Sequence, residues 1–593
     1  MFASFRDFLG LVEDAQRKRW GLVFSVAVLA SLVDAAGAVM VFVLLKLVNE
    51  PEGDLEVPVL GNLSERFPDA DKSTLVGWVA VVMVAFFLLR GLILMLQTYL
   101  QNRTANEAGA IISRRLLAGY LRMPYSFHLT RNSAESIRNA YQAVLDIVSY
   151  VLVPVVMLVS ETLVVSAMLL VLLVVAPVPT LLAIAVLGPL VLLILKLVQP
   201  RISRAGATVV ASHEANLRGI QQSLTGVREI KVLGREEFFV EKYASGRSDL
   251  ARAFYLRAAL TDAPRIAIET ILLLLIVGFL GATVITGSSV DDSLSVLGLF
   301  GYAALRVMPG LNRALAQLNS LKFGRAAVQE VTGDLEMLER EVEVLDADAE
   351  PLPLREQLAL ENVSFRYAGA DRDALTGVDL VFRRGESIGI VGPTGSGKTT
   401  LVDIVLGLLP PTSGRVACDG VDIQSNLPGW QAHAGVVPQS VFLLDETLRR
   451  NIALGLSDAD IDEDALAEAV ELAQLGEFVA SLPQGLDTVV GEAGARISGG
   501  QRQRVAIARA LYHHPSVLFF DEGTSALDNK TEKQLIEALD RLRGERTIFT
   551  IAHRLSTVRT CDRVVIVRDG RVADVGTYDE LAERNVELQQ AGN

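Results

Sequence analysis

Six long apolar runs fill the first half of the chain, at Gly21–Val48, Leu75–Leu100, Val144–Val175, Val178–Val198, Ile266–Thr286 and Leu294–Leu315. Each holds enough residues to cross a hydrocarbon core of about 30 Å at about 1.5 Å per residue, which predicts six membrane-spanning helices. Cations set the expected orientation. Arg6, Arg17, Lys18 and Arg19 precede the first run, and the stretches from Arg103 to Arg138 and from Arg201 to Arg257 hold many more. Both termini are therefore expected on the cytoplasmic side. The stretch Glu50–Thr74 is acidic, with Glu50, Glu52, Asp54, Glu56, Glu65, Asp69 and Asp71 against Arg66 and Lys72, and is expected outside. The helical patterns of the two long cytoplasmic stretches run straight out of the apolar runs, which predicts helices reaching well below the bilayer. The basic lead-in before the first run is expected to stay uncleaved, because that run is too long for a signal peptide.

The pattern changes in the second half, where short β-like runs alternate with amphipathic ones. The run Ser387–Val391 leads into Gly392, Pro393, Thr394, Gly395, Ser396, Gly397, Lys398, Thr399 and Thr400, and then into the helical pattern Leu401–Leu406. Strand, glycine loop and helix start in that order form the context of a phosphate loop. The glycines let backbone N–H groups curl round phosphates, Lys398 reaches the outer phosphates, and the Thr399 hydroxyl is placed for Mg²⁺. Downstream, the buried-strand pattern Ser516–Phe520 ends in Asp521 and Glu522. Carboxylates at the carboxyl end of such a strand stand where an α/β sheet binds ligands. Asp521 is expected in the Mg²⁺ shell, and Glu522 to polarise the attacking water.

Between these sites lies Ile497, Ser498, Gly499, Gly500 and Gln501, which resembles the signature of the ATP-binding-cassette (ABC) transporters with Ile497 in place of the usual Leu. Further matches to that family are Tyr367, Gln439, Ser525–Asp528 and His553. The resemblance implies that Tyr367 stacks on adenine, that Gln439 joins the Mg²⁺ shell, and that Asp528 and His553 complete the nucleotide site. It covers the whole chain and implies a fold: an α-helical membrane domain of six transmembrane helices, exporter type, followed by an α/β P-loop NTPase domain. The expected boundaries are 1–325 for the membrane domain, 326–357 for a linker and 358–593 for the cassette. Pro124–His128 and Gly226–Glu237 resemble the coupling helices of exporters, and Thr488–Gly494 resembles the loop that precedes the exporter signature. In the family, ATP lies between the phosphate loop of one cassette and the signature of a second. This chain has one of each, so the resemblance implies dimerisation, most simply with itself, and an ATP hydrolase of the cell (inner or plasma) membrane.

Composition narrows the alternatives. Mean hydropathy is +0.37, and a net charge of −14 with pI ≈ 5.1 argues against a nucleic-acid-binding surface. Six histidines and two cysteines are too few for an evident metal cluster, and Cys418 and Cys561 are expected as reduced thiols. His128, His213, His433, His513 and His514 match no motif and are expected on the surface or in packing.

Charges inside spans mark candidate substrate contacts. Counting inward from the outer ends places Arg90 about 22 Å deep, Arg306 about 18 Å and Arg265 about 32 Å. Arg90, Gln97 and Gln101 share one helix face, and so do Arg306, Arg313 and Gln317, as polar stripes suited to line a cavity. An arginine cluster open to the inner leaflet suits a phosphate or pyrophosphate headgroup. With the long outer loop, this is similar to flippases of lipid-linked oligosaccharides among the ABC exporters. The competing expectation is that these arginines pair with Asp34, Glu161 and Glu269. A multidrug or simple-lipid exporter is the alternative within the class, and a membrane ATPase that regulates a partner is the alternative outside it.

Overall fold

The computed structural model describes residues 16–49, 56–57, 61–62, 72–175, 177–286, 290–341, 349–521, 543–551 and 558–584. The chain divides into two compact units, one of Met1–Met123 with Thr130–Val342, the other of Pro124–Leu129 with Glu343–Asn593.

The first unit is helical. Its long helices are α1 (Arg17–Asn49), α2 (Lys72–Leu121), α3 (Val153–Val175), α4 (Pro177–Thr225), α5 (Glu236–Thr286) and α6 (Val290–Glu341). Each expected span lies in one of them, the third continuing α3 backwards to Ser133 through π turns at Asn139–Ala143 and Val148–Leu152. Among the described residues, Val76–Leu121 and Ser133–Leu170 are long and apolar enough to cross a membrane, each holding an 18-residue stretch with a mean hydropathy of 2.7 and 2.3 respectively. At 50 residues α2 is about 75 Å long, so about 45 Å of it extends past a hydrocarbon core of about 30 Å. Between α1 and α2, β1 (Glu56–Val57) pairs antiparallel with β2 (Gly61–Asn62).

Close backbone approach fixes the crossing of α4 and α6, where a Cβ at Gly206 would fall 2.2 Å from the carbonyl oxygen of Phe323. Around that crossing Ile202, Val209, Leu250 and Phe323 form a buried apolar cluster. At the lower end of α6, Asp334 accepts from Arg131 at 2.8 Å, from Asn139 Nδ2 at 2.7 Å and from the Tyr120 hydroxyl. One carboxylate thereby ties the end of α2 and the start of the next helix to α6.

The second unit is a mixed α/β fold. One sheet runs β4–β3–β6–β7 and the other β12–β11–β5–β10–β9–β8. The strands are β3 (Gln357–Phe365), β4 (Leu375–Arg383), β5 (Ser387–Val391), β6 (Ser413–Cys418), β7 (Val421–Asp422), β8 (Ala434–Val437), β9 (Val517–Asp521), β10 (Thr547–Ile551), β11 (Arg563–Arg568) and β12 (Arg571–Gly576). Every residue of β5 is buried, as a parallel strand covered on both faces should be. Helix α7 (Lys398–Val405) packs Leu401, Val402, Ile404 and Val405 into one core with Ile388, Phe519 and Phe549. A second core gathers Leu443, Leu448, Ile452, Leu466 and Val490 round Val505, Ile507 and Leu511 of α8 (Gly499–Tyr512). The phosphate loop and the signature sequence therefore rest on different cores.

Candidate functional site

The loop after β5 is shaped by glycine. Gly392, Gly395 and Gly397 have φ of 155°, 80° and 105°, and a Cβ at Gly392 would fall 2.1 Å from the Val567 carbonyl oxygen. No larger residue fits there. Gly397 is the N-cap of α7 and provides no side-chain cap, so the first N–H groups of that helix face the loop. Inside the loop the Ser396 hydroxyl is buried, with no hydrogen-bond partner among the described residues. Lys398 Nζ donates to the carbonyls of Gly392 at 2.9 Å and Pro393 at 3.0 Å, and its side chain is buried. A buried donor, an ammonium folded over the loop and an open helix start together suit an anion such as a polyphosphate.

Sheet register brings a second group to the same edge. Ile551 of β10 is paired with Ile390 of β5 on one side and with Asp521 of β9 on the other, all strands parallel. Asp521 therefore stands level with the start of the glycine loop, two strands or about 10 Å across the sheet. Gln439 follows β8, whose Val437 pairs with Phe520, and is exposed at that same edge. Behind them, burial and the neighbouring Asp521 push the Asp403 carboxyl up to about 6. Thr399 is exposed at the start of α7, while Thr400 is buried and meets the Tyr367 hydroxyl. The Tyr367 ring stands perpendicular to Phe365 at 4.9 Å. Glu522, Asp528 and His553 lie outside the described residues.

Ser498 is the N-cap of α8, and a reciprocal pair of bonds closes this helix start. The Ser498 N–H donates to Gln501 Oε1 at 2.7 Å, and the Gln501 N–H donates to Ser498 Oγ at 3.3 Å. Gly499 and Gly500 open the helix with partly exposed backbones, so the signature presents its N-terminus to solvent within one chain.

In the membrane unit Arg90 finds an acidic partner on α1. Arg90 is ion-paired with Asp34, and the two side chains are 21% and 10% exposed. Gln97 is buried and donates to Ser160 Oγ at 3.0 Å, while Gln101 donates to the Val153 carbonyl at 3.2 Å. The stripe Arg90, Gln97, Gln101 thus packs against α1 and the third helix, which corrects its reading as a cavity wall: spacing shows which residues share a face, not what that face meets. Glu161 is held by Arg313, with Nη2 at 3.1 Å. Arg265 and Glu269 are both exposed on α5, and the Arg306 side chain lies outside the description. Arg313 and Ser160 were not singled out as partners by sequence, because nothing local links α6 or α2 to the third helix.

A family model described as "ABC transporter" matches residues 375–525, and one described as "ABC transporter transmembrane region" matches residues 21–303. A relative from Ralstonia nicotianae named ATP-dependent lipid A-core flippase is 31% identical over 517 residues, covering 86% of this chain and 85% of its own. One of the same name from Cupriavidus metallidurans is 32% identical over 522 residues, with coverage of 86% and 85%. Among solved structures, a bacterial Atm1-family ABC exporter with ATP bound aligns with a TM-score of 0.79 at 25% identity, covering 98% of this chain and 99% of that one.

Proposed function

The chain belongs to the ABC transporters and couples ATP hydrolysis to transport across a membrane; from that premise we propose that it is a flippase moving an amphipathic lipid outward, best matched by a lipid-linked oligosaccharide or another lipid with an anionic headgroup. The relatives' shared name supports the lipid class. The observation that carries the ATPase half is the Ser396 hydroxyl, buried and without a partner among the described residues, inside a glycine loop that opens onto α7.

In this reading Gly392 to Gly397 and Lys398 hold the phosphates, Tyr367 faces the base, and Thr399, Gln439 and Asp521 hold Mg²⁺. The ion supplies charge neutralisation for the phosphates. Glu522 takes a proton from the attacking water, and His553 and Asp528 complete the site. Ser498 to Gln501 serve the nucleotide held by a second copy of the chain, whose α8 start adds N–H donors to the outer phosphate. A homodimer gives two such sites. Nucleotide bridging the two cassettes draws them together and its hydrolysis releases them, while Gln439 and the turns at Pro124–His128 and Gly226–Glu237 pass the movement to the spans. Both termini face the cytoplasm, and the membrane domain, linker and cassette divide at 325 and 357.

The ion pair of Arg90 with Asp34 favours a second reading, a multidrug or simple-lipid exporter, because a paired guanidinium has fewer donors left for phosphate. Reconstitution separates the two. Proteoliposomes loaded with a labelled polyprenyl-pyrophosphate oligosaccharide should show ATP-dependent flipping that competes with unlabelled lipid. ATP-dependent movement of neutral amphiphiles alone would select the second reading, and robust ATPase without any transport would overturn both.

A further inference from the structure

The last turn of α8 carries an arginine with an unusual set of partners. Arg509 donates from Nε to the Asn451 carbonyl at 2.8 Å, from Nη1 to the Phe442 carbonyl at 2.8 Å and from Nη2 to Asn451 Oδ1 at 3.4 Å. All three acceptors are neutral oxygens, and among the described residues no carboxylate pairs with it. Burial pushes its pKa below the ordinary arginine value. Arg509 is half-buried, and a partly desolvated cation that meets only neutral acceptors gains less there than an apolar side chain of similar length would. The placing of the guanidinium therefore calls for a reason other than stability.

Its partners supply one. Asn451 is fully buried, its Oδ1 accepts from the Leu444 N–H at 2.9 Å, and its Nδ2 donates to the carbonyls of Leu444 at 3.0 Å and Thr447 at 3.1 Å. These bonds fold the stretch from Leu444 to Asn451 into one body, and Arg509 fastens Asn451 and the preceding Phe442 to α8. The fastened stretch begins three residues after Gln439. At the other end of α8, roughly 16 Å away, stands the N-cap Ser498. A single unbroken helix thus has the Gln439 segment fixed to one end and the signature at the other.

We infer that Arg509 is a positioning residue of the ATPase reaction: it fastens the segment after Gln439 to the signature helix, so that a displacement at Gln439 carries Ser498 with it. This rests on the composite-site reading of Ser498 to Gln501. It adds a named strut by which the ligand-sensing edge of the sheet and the donor presented to the second cassette keep one spacing. Loosening that strut leaves the phosphate loop intact and misplaces the donors that complete the site.

The test is ATP hydrolysis by the full-length protein in lipid nanodiscs, comparing Arg509→Met, Arg509→Lys and Ser498→Ala with the parent. Arg509→Met should lower kcat roughly 10- to 100-fold with KM for ATP within about twofold, because Lys398 and Tyr367 are untouched while the signature shifts by a fraction of an ångström to an ångström. Arg509→Lys should recover a substantial part of kcat, since an ammonium reaches carbonyl oxygens without the full fork. The thermal midpoint of Arg509→Met should equal or exceed that of the parent. If Arg509→Met does not accumulate, Arg509→Gln takes its place with the same expected split. A joint loss of kcat, KM and thermal stability that Lys does not rescue would make Arg509 a plain structural brace and overturn the inference. Parent turnover in Arg509→Met beside an inactive Ser498→Ala would overturn it and leave the composite site standing. Parent turnover in Ser498→Ala would remove the composite-site reading and this inference together.

Discussion

The hydroxyl of Tyr367 lies 3.0 Å from Oγ1 of Thr400, so the ring assigned to adenine is tied to the helix that begins at Lys398. The two halves of that side chain have separable jobs. Tyr367→Phe keeps the aromatic face and should leave KM for ATP within about twofold. Tyr367→Leu removes the face and should raise KM in line with a stacking loss of about 1–3 kcal/mol. Initial-rate ATPase assays over a range of ATP concentrations read both outcomes, and an unchanged KM in Tyr367→Leu would withdraw the residue from base recognition.

Glu522→Gln should retain ATP binding and lose turnover by about 10²- to 10⁴-fold, the usual worth of a positioned base. Lys398, Thr399 and Asp521 remain to hold the nucleotide. ATP should then trap a closed dimer, visible as slow release of labelled ATP. Hydrolysis at the parent rate would end the assignment.

If two chains share each site, mixing a Lys398→Ala chain with a Ser498→Ala chain yields mixed dimers with one intact and one doubly disabled site. ATPase activity should reappear on mixing, at about half the parent rate per mixed dimer and about a quarter for a statistically mixed population where the sites act independently. Cysteines introduced beside Lys398 and Ser498 should crosslink between chains and not within one.

The ion pair between Arg90 and Asp34 makes a stability prediction that the headgroup reading must survive. Arg90→Gln removes the cation facing a buried carboxylate and should cost on the order of 3 kcal/mol. The double variant Arg90→Gln with Asp34→Asn should restore most of the thermal midpoint, because the carboxylate no longer carries charge. Flipping of a pyrophosphate lipid at the parent rate by that folded double variant would remove Arg90 from the substrate contacts.

A pH signature comes from Asp419. Burial alone would raise its carboxyl, but N–H bonds from Gln357, Arg355 and Glu356 outweigh it and hold the carboxyl below its ordinary value of 3.8. A depressed folded value stabilises the fold above the unfolded pKa, and that stability is lost as pH falls through the folded value. Asp419→Asn should therefore lower the thermal midpoint at pH 7, and the gap to the parent should close below about pH 4.

Local chemistry was the legible part. The loop from Gly392 to Thr399 announces itself because each glycine answers a backbone need, with positive φ at Gly395 and contact with Val567 at Gly392. The apolar runs announce their helices for the same reason: a bilayer asks only for length and hydropathy. Partner choice between distant segments was not legible. Nothing in the spacing of α6 tells that Arg313 reaches Glu161, which is 152 residues away in sequence. Likewise, Gln97 and Gln101 have the period of a pore lining and the fate of a helix interface, since Ser160 and the Val153 carbonyl wait on the third helix. Arg509 gave no signal at all, because its partners are mostly backbone atoms, which leave no trace in side-chain identity.

The crossing at Gly206 also restricts how this chain can change over evolutionary time. Adding one residue to α4 below that glycine would rotate everything after it by about 100°, turning the packed face of the helix away from α5. The return helix would need a compensating residue at the matching height, and α6, whose Phe323 carbonyl leaves no room for a Cβ at 206, would still hold α4 at its original depth. Viable length variation in this region is thus confined to paired insertions of whole turns, or to the helix-free corners. Relatives should therefore keep the separation of the Gly206 position from the turn at Gly226, or change it only by whole turns matched on α5.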